Sequence, residues 1–180
     1  MNDIISFWYN ELEQKDWFGA KPERQQWIDA EITKRFLSDY EAVMAGQHKE
    51  WLETAEGYLA FCLLLDQFPR HMFRATPKAF ASDFFALAIA KEAIHKGVDK
   101  ALEVNQRVFL YLPFEHAEDI NAQATAVKKI RELESDIYTE YALLHLEVIV
   151  KFGRFPHRNS ILGRVSTPQE MEYLNKGGGF

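Results

Sequence analysis

The chain has 180 residues, of which 47% are hydrophobic and 27% charged, a composition typical of one soluble globular domain with a core of its own. Its formal net charge of -6 argues against general binding of nucleic acid or of an anionic membrane, because both depend on summed positive charge. We therefore predict neither as a partner.

The N-terminus has no basic stretch followed by an apolar core, so no secretory signal is predicted. The longest apolar run, Tyr58 to Leu65, is far shorter than the roughly 20 residues of a membrane helix. The sequence therefore predicts a cytoplasmic protein. The single cysteine, Cys62, lies inside that run, and we interpret it as a core residue rather than a nucleophile.

Helical patterns follow one another along the chain. Pro22 fits the first position of an amphipathic helix that Gly46 ends. Thr76 and Pro77 form a cap-and-proline start for a second strongly periodic helix, and Gly97 fits its C-terminal stop. Both helices are predicted from the residues that begin and end them as well as from the spacing of their apolar residues.

The segments between and after these helices are also periodic enough to be helical, and only Arg107–Leu112 is ambiguous between helix and strand. Thr167 and Glu170 make a capping box for a short last helix. We predict an all-α fold, a single-domain bundle of antiparallel helices over residues 1–180 with a flexible tail at 175–180.

The first polar interruption of an apolar stretch is LLLDQFPRHMFR. Asp66 precedes Pro69, which predicts a position near a helix C-terminus, where the helix dipole disfavours a carboxylate. Asp66 should therefore have a cationic partner. Arg70 and Arg74 are near in sequence, and a more distant arginine is equally compatible with the pattern.

The second interruption is YLPFEHAEDINAQ, in which Pro113 is expected to start a helix with Glu115 in its first turn. His116, Asp119 and Gln123 would then share one face by their three-and-four spacing. A carboxylate one turn from a histidine can orient its ring and raise its pKa, as a general base requires. The alternative is a well-capped helix with a solvated acidic start.

The third interruption is His145. In the predicted helix DIYTEYALLHLEVIVKF, helical geometry places His145 opposite a polar face formed by Glu140, Glu147 and Lys151. We expect His145 to be buried. A lone histidine on an apolar face is more often a satisfied core residue than a functional one.

The fourth feature is the basic segment Lys151–Arg164, KFGRFPHRNSILGR, which has no acidic residue. Gly153 should end the preceding helix, and Phe155–Pro156 predicts an extended corner. The corner carries Arg154, His157, Arg158, Asn159 and Arg164. One cation suffices to neutralise helix-end carbonyls, so this density favours an anion site over a capping corner. We expect it to face the acidic start of the Glu115 helix and the Asp66 turn.

Three stretches together carry a family resemblance: LLLDQFPRHMFR, FLYLPFEHAED, and KFGRFPHRNSILGR followed by STPQE. They resemble the signatures of a bacterial family known as domain of unknown function 924, which is similar in fold to tetratricopeptide-like helical proteins. The resemblance covers nearly the whole chain, implies the fold and supplies no activity. His71 and Ala117 stand where the family pattern usually has asparagine and serine.

The resemblance makes the polar stretches a joint feature of one architecture, and we hypothesise that their side chains converge on one pocket between packed helices. The residues predicted to move a proton, or to orient the group that does, are His116, His157, Asp119 and Glu115. The residues predicted to hold a small anionic ligand are Asp66, Arg70, Arg74, Gln123, His145, Arg154, Arg158, Asn159 and Arg164.

The sequence leaves open whether the protein is an enzyme. One alternative is a helical module that binds a peptide or protein partner, and another is a buried ionic network that only fixes helix packing. No cofactor and no metal are predicted, and a metal shared by His116, His145 and a carboxylate is the less favoured interpretation. The oligomeric state is not indicated.

Overall fold

The computed structural model describes residues 1–179, and every regular element in that range is a helix, with no strand. This confirms the all-α prediction. The chain divides into two compact units: the first comprises Met1–Arg74 and Lys78–Pro113, and the second comprises Ala75–Pro77 and the chain from Phe114 onward. The prediction of a single domain over the whole chain stays a prediction. No helix within residues 1–179 is long and apolar enough to cross a membrane.

The first unit contains six complete α-helices and most of a seventh. They are α1 (Asn2–Ser6), α2 (Gln14–Trp17), α3 (Pro22–Met44), α4 (Ala55–Cys62), α5 (Phe68–Met72), α6 (Asp83–Lys96) and α7 (Val104–Glu115), whose last two residues belong to the second unit. Wide π-helical turns cover Phe7–Glu11 and Leu63–Gln67, and short 3-10 turns cover Lys49–Glu53, Pro77–Phe80 and Val98–Ala101. The second unit contains α8 (Ile120–Arg131), α9 (Asp136–Phe152), a 3-10 turn at Pro156–Arg158, and α10 (Pro168–Asn175).

The core of the first unit is strongly aromatic. Trp8 is fully buried and packs against Phe68 and Phe109 with ring centroids 5.6 Å and 5.3 Å away. Phe36, on the buried face of α3, lies 5.1 Å from the Phe68 ring. Aromatic pairs at these distances add about 0.5–1.5 kcal/mol each to the burial of their area. Cys62 is also buried, and burial raises the pKa of its thiol, as expected of a core residue.

The predicted limits of α3 are confirmed, whereas the predicted start of α6 is wrong. Pro22 lies in the first turn of α3, and Gly46 follows its end with a positive φ of 79°. Pro77 begins only a 3-10 turn, and α6 starts at Asp83. Ser82, just before α6, is buried and donates its hydroxyl to the carbonyl of Leu65 at 2.6 Å. This tertiary contact fixes the start of α6, which the local signal of Thr76 and Pro77 could not predict.

Pro113 does not start a helix. It lies in the last turn of α7, which includes the ambiguous Arg107–Leu112 and ends at Glu115. Asp119 instead caps α8, and its side chain accepts the backbone N–H of Ala122 at 2.7 Å. The predicted common face of His116, Asp119 and Gln123 is therefore wrong, because these residues lie in a connection, at a cap and inside a helix respectively.

Asp66 is also placed differently from the prediction. It lies in the wide turn Leu63–Gln67, which joins α4 and α5 into one helical run, and so it is not at a helix C-terminus. The extra residue of a π-helical turn lets the helix continue towards Pro69. The expectation of a cationic partner nevertheless holds, because the Arg70 guanidinium is 3.3 Å from the Asp66 carboxylate.

Candidate functional site

The basic segment forms a compact corner at the end of α9. Gly153 ends the helix as predicted, with a φ of 69° that favours glycine. Phe155 is fully buried, and its backbone N–H donates to the Glu118 carboxylate at 2.8 Å. Phe155 also belongs to the core of the second unit, together with Val148 and Ile149. The corner is thus anchored by an aromatic side chain and by one acidic residue from the turn before α8.

Two arginines of the corner are paired with carboxylates. Arg154 donates two hydrogen bonds to Glu170, at 2.6 Å and 2.8 Å, and Arg164 donates two to Glu118, at 2.6 Å and 2.9 Å. The hydrogen bond from Arg154 lowers the pKa of Glu170 to about 2. Burial raises the pKa of Glu118, but the Arg164 hydrogen bond and its other partners lower it overall. These bidentate pairs hold the corner to α10 and to the turn before α8.

Asn159 joins the two ion pairs. Its side chain is buried, its amide nitrogen donates to Ser166 Oγ at 3.0 Å, and its amide oxygen accepts from Arg164 Nε at 2.9 Å. The same amide nitrogen is 3.4 Å from Glu170. Asn159 therefore fixes the geometry of the corner, and its predicted contact with a ligand stays a prediction.

Arg158 and His157 of the corner, together with His145 of α9, gather around the Phe155 ring. The guanidinium carbon of Arg158 lies over that ring at 4.5 Å, and Arg158 is only 6% exposed. The rings of His145 and His157 are centred 5.7 Å and 5.6 Å from it. A cation held over an aromatic face is stabilised by the ring quadrupole without losing its charge.

His116 and Glu115 extend this group. The rings of His116 and His145 are 6.0 Å apart, and the Glu115 carboxylate lies 3.5 Å from Nδ1 of His145. We call these residues, which all belong to the second unit, the histidine–arginine cluster: Glu115, His116, His145, His157 and Arg158. Glu115, His145 and Arg158 are buried.

The pKa of His145 reflects its burial and the charged groups around it in the cluster. Burial lowers the pKa of His145 to about 3, and the nearby charge of His116 adds to the lowering. Arg158 and His157 act in the same direction, against a hydrogen bond to the backbone carbonyl of Tyr141 at 2.8 Å. That bond requires the hydrogen on Nδ1, because a carbonyl oxygen only accepts. His145 is therefore neutral at neutral pH, because burial and the nearby positive charges outweigh the interactions that favour its protonation.

Gln123 supports the connection that carries His116. Its amide nitrogen donates to the carbonyls of Glu115 and Ala117 at 2.5 Å and 2.9 Å. Its amide oxygen is buried without a hydrogen-bond partner within residues 1–179. Asp119 uses its carboxylate to cap α8, so its predicted role of orienting His116 has no support from this geometry. Both residues hold the connection in place.

The predicted residues of the first unit form two ionic networks. In one, Arg70 makes a bidentate pair with Asp83 at 2.9 Å and 3.0 Å and lies 3.3 Å from Asp66. Gln67 also donates to the Asp66 carboxylate. Burial alone would lower the pKa of Arg70, but the two carboxylates raise it overall. Sequence reasoning missed Asp83, whose separation of thirteen residues from Arg70 gives no helical-face signal.

The second network centres on Asp29, which the sequence analysis also missed. Arg74 donates to both carboxylate oxygens at 2.7 Å and 2.8 Å, and Nδ1 of His71 lies 2.7 Å from Asp29. Gln25 donates to the same carboxylate at 2.8 Å. Burial raises the pKa of Asp29, but these hydrogen bonds lower it overall. His71 is therefore an integral part of this network.

The structure thus brings Asp66 together with Arg70, and it brings Glu115, His116, His145, His157 and Arg158 together in the second unit. It gives Arg74, Arg154 and Arg164 carboxylate partners of their own. The convergence of both sets on one pocket stays a prediction. Within residues 1–179, no group of three or more His, Cys, Asp or Glu side chains is arranged to hold a metal ion.

Comparisons with known proteins identify relatives without an assigned activity. A family model described as a bacterial protein of unknown function (DUF924) matches residues 4–178. A solved structure of a protein of unknown function from Agrobacterium tumefaciens is 41% identical, with a TM-score of 0.90. That match covers 98% of this chain and 97% of the other. No curated protein matches the chain.

Proposed function

The chain belongs to the bacterial protein family of unknown function DUF924, and we propose that its histidine–arginine cluster binds a small anionic ligand. The observation that carries the proposal is the gathering of Arg158, His145 and His157 around the buried ring of Phe155, with His116 beside His145. These groups belong to one unit of the fold and come from α9, the basic corner and the connection before α8.

Arg158 is the buried arginine of the cluster. A guanidinium stays charged at any physiological pH, and its planar fork matches carboxylate and phosphate groups. Because Arg158 is largely removed from water, its field acts on neighbouring groups with less screening than at a surface. Burial is the main cause of the lowered pKa of His145, and the charges of His116, Arg158 and His157 act in the same direction. An anion held at the cluster would offset this positive field.

The contrast with Arg154 and Arg164 makes the proposal specific. Each of those arginines already has a bidentate carboxylate partner, which satisfies its fork and neutralises its charge. Arg158 differs from both in its burial, because its guanidinium lies over the Phe155 ring inside the cluster. We therefore propose Arg158 as the ligand-binding arginine and a structural role for Arg154 and Arg164.

As an enzyme, the protein would use His116 or His157 to transfer a proton. His145 is unsuited to act as a general base near neutral pH, because a base of pKa about 3 binds a proton too weakly. The buried Glu115 carboxylate lies 3.5 Å from Nδ1 of His145, inside the same cluster. A cytoplasmic location and tetratricopeptide-like packing remain part of the proposal.

The alternative ligand is the carboxylate terminus of a peptide, which presents the same chemistry as a small acid. Inorganic phosphate and succinate test the small-anion form, and an amidated and a free-acid version of one short peptide test the other. Preference for the free-acid peptide over succinate would move the proposal to the peptide-binding class.

Isothermal titration of the full chain with inorganic phosphate and with succinate tests the proposal. We expect saturable binding that Arg158→Gln weakens by at least about tenfold, a loss of about 1.4 kcal/mol. Arg154→Gln, which removes an equal charge from the same corner, should leave the affinity within about twofold. Equal losses in both variants, or no binding of either anion to the wild type, would refute the proposal.

A further inference from the structure

A recess lies on the second unit, and one of its lining residues, Gly179, borders His157 of the histidine–arginine cluster. It has a volume of about 230 Å³, and its floor is formed by the α9 residues Leu144, Val148 and Phe152. Tyr173 of α10 forms one wall, with its ring centred 5.1 Å from that of Phe152. We call this recess the α9–α10 groove.

The glycine segment after α10 forms another wall of the groove and is built into it. Gly178 donates its backbone N–H to the carbonyl of Tyr173 at 3.0 Å, and a Cβ at Gly178 would lie 2.5 Å from atoms of the Tyr173 ring. The N–H of Gly179 donates to the Tyr173 hydroxyl. A side chain at Gly178 would force the Tyr173 ring to shift. Gly177 to Gly179 thus line the groove with backbone, and the flexibility predicted for 175–180 stays a prediction, with Phe180 outside the described residues.

Two opposite charges stand beside this apolar floor. Glu147 and Lys151 are one helical turn apart on α9, and both are exposed. The Lys151 ammonium lies 5.1 Å from the Phe152 ring and 6.0 Å from the Tyr173 ring, which draws it over the groove. The Glu147 charge acts on the Tyr173 hydroxyl. Within residues 1–179, neither side chain forms an ion pair, although their spacing would allow one.

The size of the groove restricts its ligand. Sites for drug-sized molecules have volumes of roughly 300–1,000 Å³, so this groove suits a smaller molecule with one apolar group. A single aliphatic or aromatic side chain fits that description. The adjacent carboxylate and ammonium then call for a ligand with one charge of each sign close together, a combination that neither a simple fatty acid nor an amine has.

We propose that the α9–α10 groove binds a free hydrophobic amino acid, with its carboxylate on Lys151 and its ammonium on Glu147. Its side chain lies on Leu144 and Val148 against the Phe152 ring. A residue inside a peptide has neither charge, and a residue at a peptide terminus has only one. The groove therefore distinguishes a free amino acid from the same residue in a chain.

The probes are L-phenylalanine and L-leucine, each titrated into the full chain with chemical shifts of the groove methyl and aromatic groups as the readout. Phenylacetate, which lacks the ammonium, and phenethylamine, which lacks the carboxylate, are the matched probes. We expect saturable shifts at Leu144, Val148 and Tyr173 with at least one amino acid, and binding at least about tenfold weaker for both matched probes.

Two charge variants and two control variants keep the test decisive. Lys151→Met and Glu147→Gln alter exposed side chains, so they should fold normally, and each should weaken amino-acid binding by about tenfold. Lys91→Met removes an exposed lysine on α6 and should change nothing. Arg158→Gln should also leave this affinity unchanged, which separates the proposal from the function assigned to the histidine–arginine cluster.

Three outcomes would overturn the inference. Phenylacetate binding as tightly as phenylalanine, with no effect of Glu147→Gln, would remove the recognition of an ammonium. If neither amino acid shifts the groove signals at the highest concentration its solubility allows, the groove does not bind free hydrophobic amino acids. Groove shifts that depend on protein concentration alone would show that a second copy of the chain occupies the groove.

Discussion

The Asp29 network and the histidine–arginine cluster contain the same types of side chain but differ in the group at their centre. Around Asp29, an arginine, a histidine and a glutamine all converge on one carboxylate, so the charges cancel within the network. In the cluster, Arg158, His145 and His157 surround the uncharged ring of Phe155, and the buried Glu115 carboxylate lies beside His145. The residue types of a motif therefore do not predict its partners, and the group at the centre is what differs between these two regions.

The largest expected effect comes from breaking a network of the first unit. Asp66 is fully buried beside Arg70, so Asp66→Ala leaves a largely buried guanidinium with one carboxylate instead of two. Removing one member of a buried ion pair costs about 3–5 kcal/mol, and the remaining Asp83 pair points to the lower end. Urea denaturation measures the loss. Phosphate affinity should not change in the folded variant, and a parallel loss of binding would contradict the assignment of Asp66 to structure.

The next effect is the response of stability to acid, for which His145 is the relevant group. Its pKa is lowered from 6.5 to about 3 in the folded protein, so the unfolded chain binds a proton first as the pH falls. The contribution is fully present above pH 6.5 and is lost between pH 6.5 and about 3, with a slope of about 1.4 kcal/mol per pH unit. His145→Gln should flatten denaturation midpoints across this window. An unchanged pH profile in that variant would refute the neutral, desolvated state of His145.

A smaller effect separates the paired arginines from Arg158. In Glu170→Gln, the glutamine can still close the capping box with Thr167, but it carries no charge for Arg154. We expect a loss of about 1.5–3 kcal/mol at pH 7, the range for hydrogen bonds to charged groups. Because the pKa of Glu170 is lowered to about 2, its contribution is present above pH 4.5 and lost as the pH falls towards 2. Equal wild-type and variant stability at pH 7 would show that the pair contributes nothing.

The smallest effect concerns the cap itself. Thr167 accepts the backbone N–H of Glu170 at 3.2 Å, and Thr167→Ala removes that bond while leaving the Arg154 pair in place. The expected cost is about 1 kcal/mol in thermal or chemical denaturation. A cost larger than that of Glu170→Gln would reverse the ranking and assign the attachment of the corner to the cap rather than to the ion pair.

The sequence correctly predicted the helix limits that depend on neighbouring residues alone. Pro22, Gly97, Gly153 and the Thr167 capping box fixed helix limits correctly, because each acts on its own turn of backbone. Pro113 misled the prediction because a proline in the last turn of a helix loses only one hydrogen bond, which the packing of the surrounding apolar residues offsets.

The candidate site was predictable as a set of residue types and not as a set of partners. The burial of His145 and the density of charge after Gly153 could be predicted from the sequence. Which arginine meets which carboxylate could not, because Arg164 and Glu118 are 46 residues apart and Arg74 and Asp29 are 45 apart. Those choices depend on tertiary packing, which no periodicity encodes.

A pH titration of the imidazole nitrogens of His145 by NMR, with and without saturating inorganic phosphate, tests directly whether the histidine–arginine cluster binds an anion. The account predicts a neutral ring with its hydrogen on Nδ1 down to about pH 4 in the free protein, given its pKa of about 3. It also predicts a pKa at least about one unit higher with phosphate bound, because an anion at Arg158 offsets the field that opposes protonation. A pKa that phosphate leaves unchanged would show that the cluster does not bind the anion.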